Sequence, residues 1–519
     1  MDLKDLAYLL TKNGLKYAYG ITGGGKSLKF INELEKIGVN FINVSHESSA
    51  AIMAGASNRV KANSAISISI KGPGLTNSIG GISYNFFENI PSISISEAYD
   101  RSVPKIRMHK RLNHEGLLNQ ITRKVLNLDS LPKDLEYELE KNTLNYDSPI
   151  HIELCSGRIE NIILEKPKTF QNNQQENFNF LIDRISKSKK PILIIGSSVI
   201  DDDLKNLFEE LSIPIFTTAA CRGFINEELS HSAGIFTGDG KELSNEKVLF
   251  HLSDLILTIG LSLNEITGEL NEKYPFIFFE YKDNFRNNDF QVKESNYFKL
   301  SKTKEIFEII NILQKKDWVC SQLIHNKKNI NRALALDEWL PAICFSLINK
   351  LKFPFSLVID TGNFCTIAEH TIFINNFRKL YASNNGRFMG GSIPTAIGVS
   401  IMQDDRPLFC LLGEGGMQTY SSDLKIIKNK KLSICIIYLT DGYYSSVRGE
   451  GSEDISIDAV KITNPSWVKV VKSIGIDSYI CENKNQFQKY INNWSRSKPI
   501  FLECKFDSQK YRNMTSKLR

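Results

Sequence analysis

Apolar positions along the chain gather into short runs with almost no charge, separated by longer segments that mix apolar and polar residues. Residues 191–196, 255–260, 408–412 and 432–439 are clear examples. Short apolar runs bounded by turn residues are typical of strands buried on both faces. Because helical patterns alternate with these runs, the sequence predicts an α/β protein with parallel sheets covered by helices on both sides.

Two polar stretches divide this pattern into three units. Residues 167–177 are rich in glutamine and asparagine, and residues 314–331 are largely polar, so both are predicted linkers. A chain of 519 residues is long enough for about three domains of ordinary size. We therefore predict three doubly wound parallel-sheet domains, with boundaries at 1–168, 169–331 and 332–519.

Composition excludes several classes of protein. Apolar residues make up 42% and charged residues 24%, as in a soluble globular protein. The net charge of +6 comes from scattered lysines without a dense basic run, so no nucleic-acid partner is predicted. The nine cysteines show no Cys-x-x-Cys spacing, which favours buried thiols in a reducing compartment. Since there is no signal peptide and no long apolar run, we expect a cytoplasmic protein without a membrane partner.

Acidic residues follow two of the apolar runs near the C-terminus. The run 408–412 leads into Gly413-Glu414-Gly415-Gly416, and the run 432–439 leads to Asp441. The carboxyl ends of parallel strands share one edge of a sheet, where such proteins bind ligands. Mg²⁺ prefers hard oxygen ligands, and the two carboxylates, a backbone carbonyl after Asp441, a diphosphate and water would supply them. A glycine turn in an ordinary doubly wound sheet is the alternative.

A second glycine-rich turn lies near the N-terminus. Residues 20–27 match the nucleotide-binding pattern Gly-x4-Gly-Lys-Ser, between an apolar run and a helical pattern. A P-loop enzyme also needs an acid at the end of a neighbouring strand to hold Mg²⁺. The next strand ends at Ile70-Lys71 without one, so we interpret the turn as a strand-to-helix connection at the mouth of an active site.

Several further blocks make the chain resemble thiamine diphosphate-dependent enzymes, with closest likeness to the acetolactate synthase and 2-oxo acid decarboxylase branch. The family carries Gly-Asp-Gly and, some two dozen residues later, Asn; here Glu414 stands in place of that Asp and Asp441 in place of that Asn. Five other blocks occur in family order and together span most of the chain: His46-Glu47 with the small-residue helix 50–59, Gly72-Pro73-Gly74-Leu75-Thr76-Asn77, residues 84–91, residues 358–362, and residues 388–398.

The resemblance implies a pyrimidine-binding first domain, a central domain and a diphosphate-binding third domain. It implies that the third domain holds the metal through Glu414, Asp441 and the Tyr443 carbonyl. It also implies cofactor contacts from glycines and one amide, namely Gly72, Gly362, Asn363, Gly413, Gly415 and Gly416. The two acid replacements predict altered cofactor affinity or metal choice, or a compensated variant with normal function.

Three residues acquire roles in cofactor activation and shape from the same resemblance. Glu47 would hydrogen-bond the pyrimidine N1′ and so promote deprotonation of the thiazolium C2. Met389 would wedge under the bent cofactor, and the Arg387 carbonyl would accept a bond from its 4′-amino group. Without the other blocks, each has a simpler interpretation: a helix-terminal acid for Glu47 and core filling for Met389.

The implied reaction is the thiamine diphosphate- and Mg²⁺-dependent decarboxylation of a 2-oxo acid, followed by carboligation or release of an aldehyde. His114 falls near a Gln of acetolactate synthases and could relay protons, although a solvated loop histidine is an equal alternative. Asn127 stands where those synthases have a lysine, which places acetolactate synthesis itself in doubt.

Relatives build each active site from two subunits, so the resemblance implies a homodimer or homotetramer. Some relatives carry FAD or ADP in the central domain, but no Gly-x-Gly-x-x-Gly occurs there, which leaves FAD open. A catalytically silent thiamine-fold binding protein and, less favoured, a P-loop NTPase are the alternative functions.

Overall fold

A computed structural model gives the architecture of the chain. It describes residues 1–130, 135, 148–157, 174–200, 202–238, 240–261, 265, 274–281, 297–300, 303–318, 321–334, 338–403, 405–449, 457–512 and 514–518. Most of the predicted linker at 167–177 lies outside these residues. No helix in the described part of the chain is both long enough and apolar enough to cross a membrane.

The first domain is built on a six-stranded parallel sheet of order β2-β1-β3-β4-β6-β5. Its strands β3, β4 and β6 are buried along their whole length, as expected of a sheet covered on both faces. Its elements are α1 (Leu3–Lys12), β1 (Tyr17–Gly20), α2 (Lys26–Lys36), β2 (Asn40–Asn43), α3 (Glu47–Val60), β3 (Ala65–Ser69), α4 (Pro73–Phe87), β4 (Ile93–Glu97), α5 (His114–Leu118), β5 (Lys124–Asn127) and β6 (Ile150–Leu154).

The central domain has its own six-stranded parallel sheet, of order β12-β11-β10-β7-β8-β9. Its elements are α6 (Gln174–Lys187), β7 (Pro191–Ile195), α7 (Asp202–Glu209), β8 (Ile215–Thr218), β9 (Ser232–Phe236), α8 (Asn245–Phe250), β10 (Leu255–Ile259), β11 (Phe276–Tyr281), β12 (Tyr297–Leu300), α9 (Thr303–Leu313) and α10 (Ser321–Ala333).

Helix α10 occupies most of the stretch predicted as the second linker. Its buried Leu323 joins the core of the central domain, and its buried Ile330 joins the core of the third. The stretch therefore does connect two domains, but as a helix packed against both of them. The domain boundaries themselves remain predictions.

The third domain repeats the strand order of the first, as β14-β13-β15-β16-β18-β17. Its elements are α11 (Pro341–Asn349), β13 (Phe355–Ile359), α12 (Asn363–Thr371), β14 (Arg378–Ala382), α13 (Ser392–Met402), β15 (Leu408–Leu412), α14 (Glu414–Tyr420), α15 (Leu424–Asn429), β16 (Ile434–Thr440), α16 (Ser445–Gly449), α17 (Ile457–Val460), α18 (Trp467–Ile474), β17 (Asp477–Cys481), α19 (Lys484–Asn493), β18 (Ile500–Lys505) and α20 (Ser508–Arg512). The predicted three-domain α/β fold is confirmed.

The first and third domains pack directly against each other through α3 and α13. A Cβ on Gly398 would lie 2.3 Å from the Met53 carbonyl oxygen, so the helices approach this closely because α13 has a glycine there. Glu88, at the end of α4, adds a polar clamp. Its carboxylate accepts hydrogen bonds from the backbone N–H groups of residues 384–386 and from the Ser383 hydroxyl.

The eight cysteines within the described residues are all buried with free thiols. This agrees with the expectation of buried thiols for those eight.

Candidate active site

Glu47 is the first residue of α3, directly after β2, so its carboxylate lies at the carboxyl edge of the first sheet. The helix begins there because His46 Nδ1 accepts a hydrogen bond from the Ser48 N–H at 3.1 Å. Glu47 is 8% exposed, and its Oε2 accepts a hydrogen bond from Asn77 Nδ2 at 3.2 Å. The carboxylate is thus held in place but still reachable from the sheet edge.

The turn at residues 72–74 lies beside Glu47 and requires glycine. Gly72 has a φ of 66°, and a Cβ there would come within 2.4 Å of the Lys110 carbonyl oxygen. A Cβ on Gly74 would lie 3.5 Å from Glu47 Oε1. The Gly72 N–H in turn donates to His114 Nε2 at 3.4 Å. One short turn therefore separates Glu47 from His114.

His114 is buried and oriented by a carboxylate. Its Nδ1 lies 3.0 Å from Glu153 Oε1, while Arg101 Nη2 lies 2.5 Å from Glu153 Oε2 and 2.6 Å from Glu115 Oε1. Burial alone would raise the pKa of Glu153, but the hydrogen bond with His114 and the Arg101 charge lower it overall. Because Nε2 accepts the Gly72 N–H, the proton of a neutral imidazole lies on Nδ1, which faces the Glu153 carboxylate.

The acidic pair of the third domain lies on two adjacent strand ends, as the sequence predicts. The register of β15 against β16 pairs Leu412 with Tyr438, so Glu414 and Asp441 follow neighbouring strands at one edge. Glu414 Oε1 accepts three hydrogen bonds, from the Thr440 hydroxyl at 2.6 Å, the Asp441 N–H at 2.9 Å and the Gly442 N–H at 2.8 Å. The additional methylene of glutamate lets this side chain reach the neighbouring strand end.

The environment of Glu414 favours its neutral form. Burial raises its pKa to about 7, and the nearby Asp441 charge adds to the shift, against hydrogen bonds from Thr440 and Gly442 that lower it. Asp441 Oδ2 accepts a hydrogen bond from the Ser445 hydroxyl at 2.5 Å. A divalent cation bound between Glu414 and Asp441 would neutralise the negative charge of the two carboxylates.

These residues fit Mg²⁺ with a diphosphate. Among the described residues, no group of three or more His, Cys, Asp or Glu side chains is arranged to hold a metal ion. The site offers two carboxylates, and the backbone turns beside them at Gly442, whose φ is 81°. Mg²⁺ commonly takes one or two carboxylates and completes its shell with a carbonyl, water and phosphate oxygens. Glu414, Asp441 and the Tyr443 carbonyl match that donor set.

A loop at residues 383–391 lies against the same strand ends and carries Met389. The buried carboxylate of Asp360, after β13, accepts hydrogen bonds from the Gly390 N–H at 2.9 Å and the Ser392 hydroxyl at 2.6 Å. Met389 Sδ contacts Gly415, where a Cβ would lie only 2.1 Å away. Met389 remains 44% exposed, so an apolar side chain stands at the edge of the acidic pair.

Arg387 occupies a strained backbone position in this loop. Its φ of 47° is unusual for a residue with a side chain. Its guanidinium contacts the same domain, since Nη1 lies 3.1 Å from Glu369 Oε1 on α12. The Arg387 side chain is therefore anchored within the third domain.

Gly362 and Asn363 lie where α12 begins, at the carboxyl end of β13 and beside the glycine turn at residues 413–416. Phe364 separates the two glycine turns, since a Cβ on Gly413 would lie 3.0 Å from its ring. The buried Asn363 accepts a hydrogen bond from the Thr515 hydroxyl at 2.7 Å. The C-terminal residues therefore pack over this helix start.

The glycine turn at residues 20–27 differs from a phosphate-binding loop because a carboxylate of the protein lies against it. The sequence alone did not predict this contact. The acid absent from the end of β3 is present at the end of β4: Glu97 Oε1 accepts the Lys26 N–H at 3.3 Å and lies 2.9 Å from Lys71 Nζ. Lys26 Nζ lies 2.7 Å from Asp100 Oδ1. A carboxylate of the chain itself thus occupies the helix start where a phosphate would bind.

We predict that ATP and GTP neither bind nor are hydrolysed, because both groups that would hold phosphate already have anionic partners. Differential scanning fluorimetry with millimolar nucleotide and Mg²⁺ should give no shift in Tm. Hydrolysis that disappears in Lys26→Ala would contradict this prediction.

The structure assembles the sequence-predicted residues into two groups. Glu47, Gly72 and His114 cluster in the first domain. The remaining residues cluster in the third: Gly362, Asn363, Arg387, Met389, Gly413, Glu414, Gly415, Gly416, Asp441 and Tyr443. Among the described residues, the hydrogen bonds of the Glu47 side chain and of the Glu414 side chain stay within their own domains.

Sequence reasoning missed four acids that position these groups, namely Glu88, Glu153, Asp360 and Glu369. Asp360 follows a buried strand beside a glycine, so the rule that singled out Asp441 could have identified it. The other three act across elements distant in sequence and have no local signal.

Comparison with protein families finds three matches in order along the chain. Residues 3–117 match the N-terminal TPP binding domain of thiamine pyrophosphate enzymes, residues 178–291 the central domain, and residues 360–504 the C-terminal TPP binding domain. The matches give no support for FAD.

Comparison with individual proteins points in the same direction. The chain is 21% identical to the acetolactate synthase isozyme 2 large subunit of Escherichia coli, over 97% of this chain and 95% of that protein. It is 21% identical to the acetolactate synthase large subunit of Pyropia yezoensis, over 95% and 90%. An uncharacterized protein of Methanocaldococcus jannaschii is also 21% identical, over 94% and 93%.

Proposed function

The chain belongs to the thiamine pyrophosphate enzyme family, and from this premise we propose that it decarboxylates a 2-oxo acid with thiamine diphosphate and Mg²⁺. Carboligation, as in the acetolactate synthases it resembles, or release of an aldehyde would complete the reaction. The observation that carries the proposal is the adjacency of Glu414 and Asp441 on one sheet edge, with Met389 beside them.

In this proposal the third domain anchors the cofactor. Glu414, Asp441 and the Tyr443 carbonyl would hold Mg²⁺, while the glycines of the 413–416 turn and the start of α12 would approach the diphosphate. A Cβ on Gly416 would lie 2.4 Å from Asp360 Oδ2, which keeps this turn free of side chains. Backbone amides at a helix start suit a phosphate group.

The rest of the cofactor would lie between Met389 of one subunit and Glu47 of another. Because the Met389 side chain is partly exposed and contacts Gly415, it can pack against one face of a bent ligand. The strained Arg387 backbone would direct its carbonyl toward the amino group of the pyrimidine.

Glu47 would hold a proton at the pyrimidine N1′. Asn77 leaves Glu47 Oε1 available for this purpose, because it donates to Oε2. When bound, thiamine diphosphate supplies a nucleophilic carbon that adds to the keto group and accepts the electrons released with CO₂. Glu47 would promote this chemistry as a general acid and base.

His114 would serve substrate proton transfers beside Glu47. Its orientation by Glu153 and its position across the 72–74 turn from Glu47 support this role, which requires Nε2 to give up the long hydrogen bond from the Gly72 N–H. Asn127 is buried and bonds the Gly157 carbonyl, so its amide belongs to the fold of the first domain.

We further propose a homodimer or homotetramer, with each site formed by the first domain of one subunit and the third domain of another. Phe87 and Met389 are 41% and 44% exposed, and such apolar side chains suit an interface. Sedimentation velocity tests the proposal, and an active monomer would refute it.

Two measurements test the proposed function. Thiamine diphosphate with Mg²⁺ should raise the Tm at millimolar concentration, and a panel of 2-oxo acids should yield CO₂. Without any thermal shift, the proposal fails and a catalytically silent binding protein becomes the better description. A shift without CO₂ from any member of a broad panel would also favour that alternative.

Cofactor affinity should depend on pH through Glu414. Because burial raises its pKa to about 7, metal binding at pH 6 must displace a proton that is largely absent at pH 8. We expect thiamine diphosphate at fixed Mg²⁺ to bind more tightly at pH 8 than at pH 6 by about tenfold. The cofactor's own ionisation contributes equally to Glu414→Gln, so the difference between that variant and the wild type isolates Glu414. An identical pH dependence in both proteins would contradict the prediction.

A further inference from the structure

A cleft of about 370 Å³ opens beside His114, at the carboxyl ends of strands in the first sheet. Its walls come from the segment between β4 and α5 and from the start of α5, together with Lys71 and Glu153. The charged side chains along it are four cations, namely Lys71, Arg101, Lys110 and Arg111, and two carboxylates, Glu115 and Glu153. The lining is therefore cationic on balance.

The carboxylates of the cleft are neutralised by groups within it. Arg101 bridges Glu115 and Glu153, and His114 contacts the second oxygen of Glu153. Lys71 is paired with Glu97 outside the lining. Within the part of the chain that the structure describes, no carboxylate lies within ion-pair distance of Lys110 or Arg111. Two cations thus remain to receive an anion.

The backbone at Lys110 is held in a conformation that is unusual for lysine. Its φ is 62°, and its carbonyl lies so close to Gly72 that no side chain could stand there. Such strain persists where surrounding structure fixes it, and it is common at ligand sites. The Gly72 contact therefore fixes the position of Lys110 relative to the turn beside Glu47.

The cleft borders the same turn, at residues 72–74, that approaches Glu47. His114 lines the cleft and accepts the Gly72 N–H, while Gly74 approaches the Glu47 carboxylate. A substrate that reacts beside Glu47 and His114 would extend its side chain into this cationic space.

We propose that the cleft binds a second anionic group on the side chain of the 2-oxo acid substrate, with Lys110 and Arg111 as its partners. This inference rests on the proposed function and narrows the substrate to a 2-oxo acid with a side-chain carboxylate or phosphonate. The leaving carboxylate is lost as CO₂, whereas the second anion stays bound and holds the remaining fragment.

Matched substrates test the charge directly. In 5-methyl-2-oxohexanoate an isopropyl group replaces the terminal carboxylate of 2-oxoglutarate, so the pair differs in charge and little in shape. We expect kcat/KM to favour 2-oxoglutarate, or 2-oxo-3-phosphonopropanoate, by about tenfold or more at low salt, and by less at high salt. Preference for either acid with a second anionic group supports the proposal and identifies the anion, and preference for neither overturns it.

Substitutions assign the effect to the two cations. Arg111→Gln combined with Lys110→Asn, in which asparagine tolerates the left-handed backbone, should bring the charged-to-neutral ratio close to one. Lys29→Gln, an exposed lysine on α2, serves as the matched control and should leave the ratio unchanged. An unchanged ratio in the double variant would overturn the assignment.

Binding separates this inference from the proposed function. Isothermal titration of the cofactor-loaded Glu47→Gln variant measures the affinity for each acid without turnover. If no acid yields CO₂ but 2-oxoglutarate binds at least tenfold more tightly than 5-methyl-2-oxohexanoate, the cleft is confirmed while the reaction fails. If CO₂ forms from both acids with equal kcat/KM and both bind equally, the reaction stands and the anion site fails.

Discussion

Replacing Glu47 with glutamine is expected to slow CO₂ release by about 10²- to 10⁴-fold, the range typical of a lost general acid or base. Glutamine keeps the size of the side chain and an oxygen that can accept the Asn77 hydrogen bond. It cannot exchange a proton with the pyrimidine N1′. Single-turnover CO₂ release with the cofactor-loaded protein measures the effect.

The same variant should bind thiamine diphosphate within about threefold of wild type, since the anchoring contacts lie in the third domain. Glu35→Gln, at an exposed position of α2, is the matched control and should retain full activity. An unchanged rate in Glu47→Gln would remove this residue from the mechanism. A parallel loss of cofactor affinity would make Glu47 a binding residue.

Two substitutions of Glu414 are expected to separate its structural role as a hydrogen-bond acceptor from its proposed role as a metal ligand. Glu414→Ala leaves the Thr440 hydroxyl and the Asp441 and Gly442 N–H groups without their acceptor. A buried polar group that loses its partner costs about 1–3 kcal/mol, and partial rehydration at the sheet edge should limit the total destabilisation to about 2–4 kcal/mol. Chemical denaturation of the protein without cofactor measures this loss.

Glu414→Gln should retain the acceptor oxygen and most of the stability but lose the charge that holds the metal. We expect it to weaken thiamine diphosphate binding at fixed Mg²⁺ by about 100-fold. The double variant Glu414→Asp with Asp441→Asn restores the family pattern and should bind at least as tightly as wild type. Wild-type affinity in Glu414→Gln would show that this side chain is not a metal ligand.

The local sequence was sufficient to predict the architecture and the proximity of Glu414 and Asp441. The charge-poor runs mark buried strands, and the carboxyl ends of parallel strands must share an edge, so Glu414 and Asp441 could be placed together before the structure was considered. The same rule explains why Glu47 lies at the edge of the first sheet.

Polar contacts between residues that are distant in sequence could not be predicted in the same way. Glu97 reaches the glycine turn at residues 20–27 from more than 70 positions away, and only the order of strands in the sheet brings it there. Glu153 reaches His114 in the same manner. Helix α10 was not predicted because its composition is mostly polar and only a few of its positions are buried. One of these is Asn326, whose amide donates hydrogen bonds to the Leu243 carbonyl and to Asn245 Oδ1. Composition describes an average, whereas a helix needs only one buried stripe.

The Glu88 clamp links the folding of the two outer domains. Its carboxylate lies on α4 of the first domain, yet it organises the loop of the third domain that carries Arg387 and Met389. Without the first domain, the N–H groups of residues 384–386 would lose their common acceptor. The conformation of this loop therefore depends on the packing of the first domain against the third.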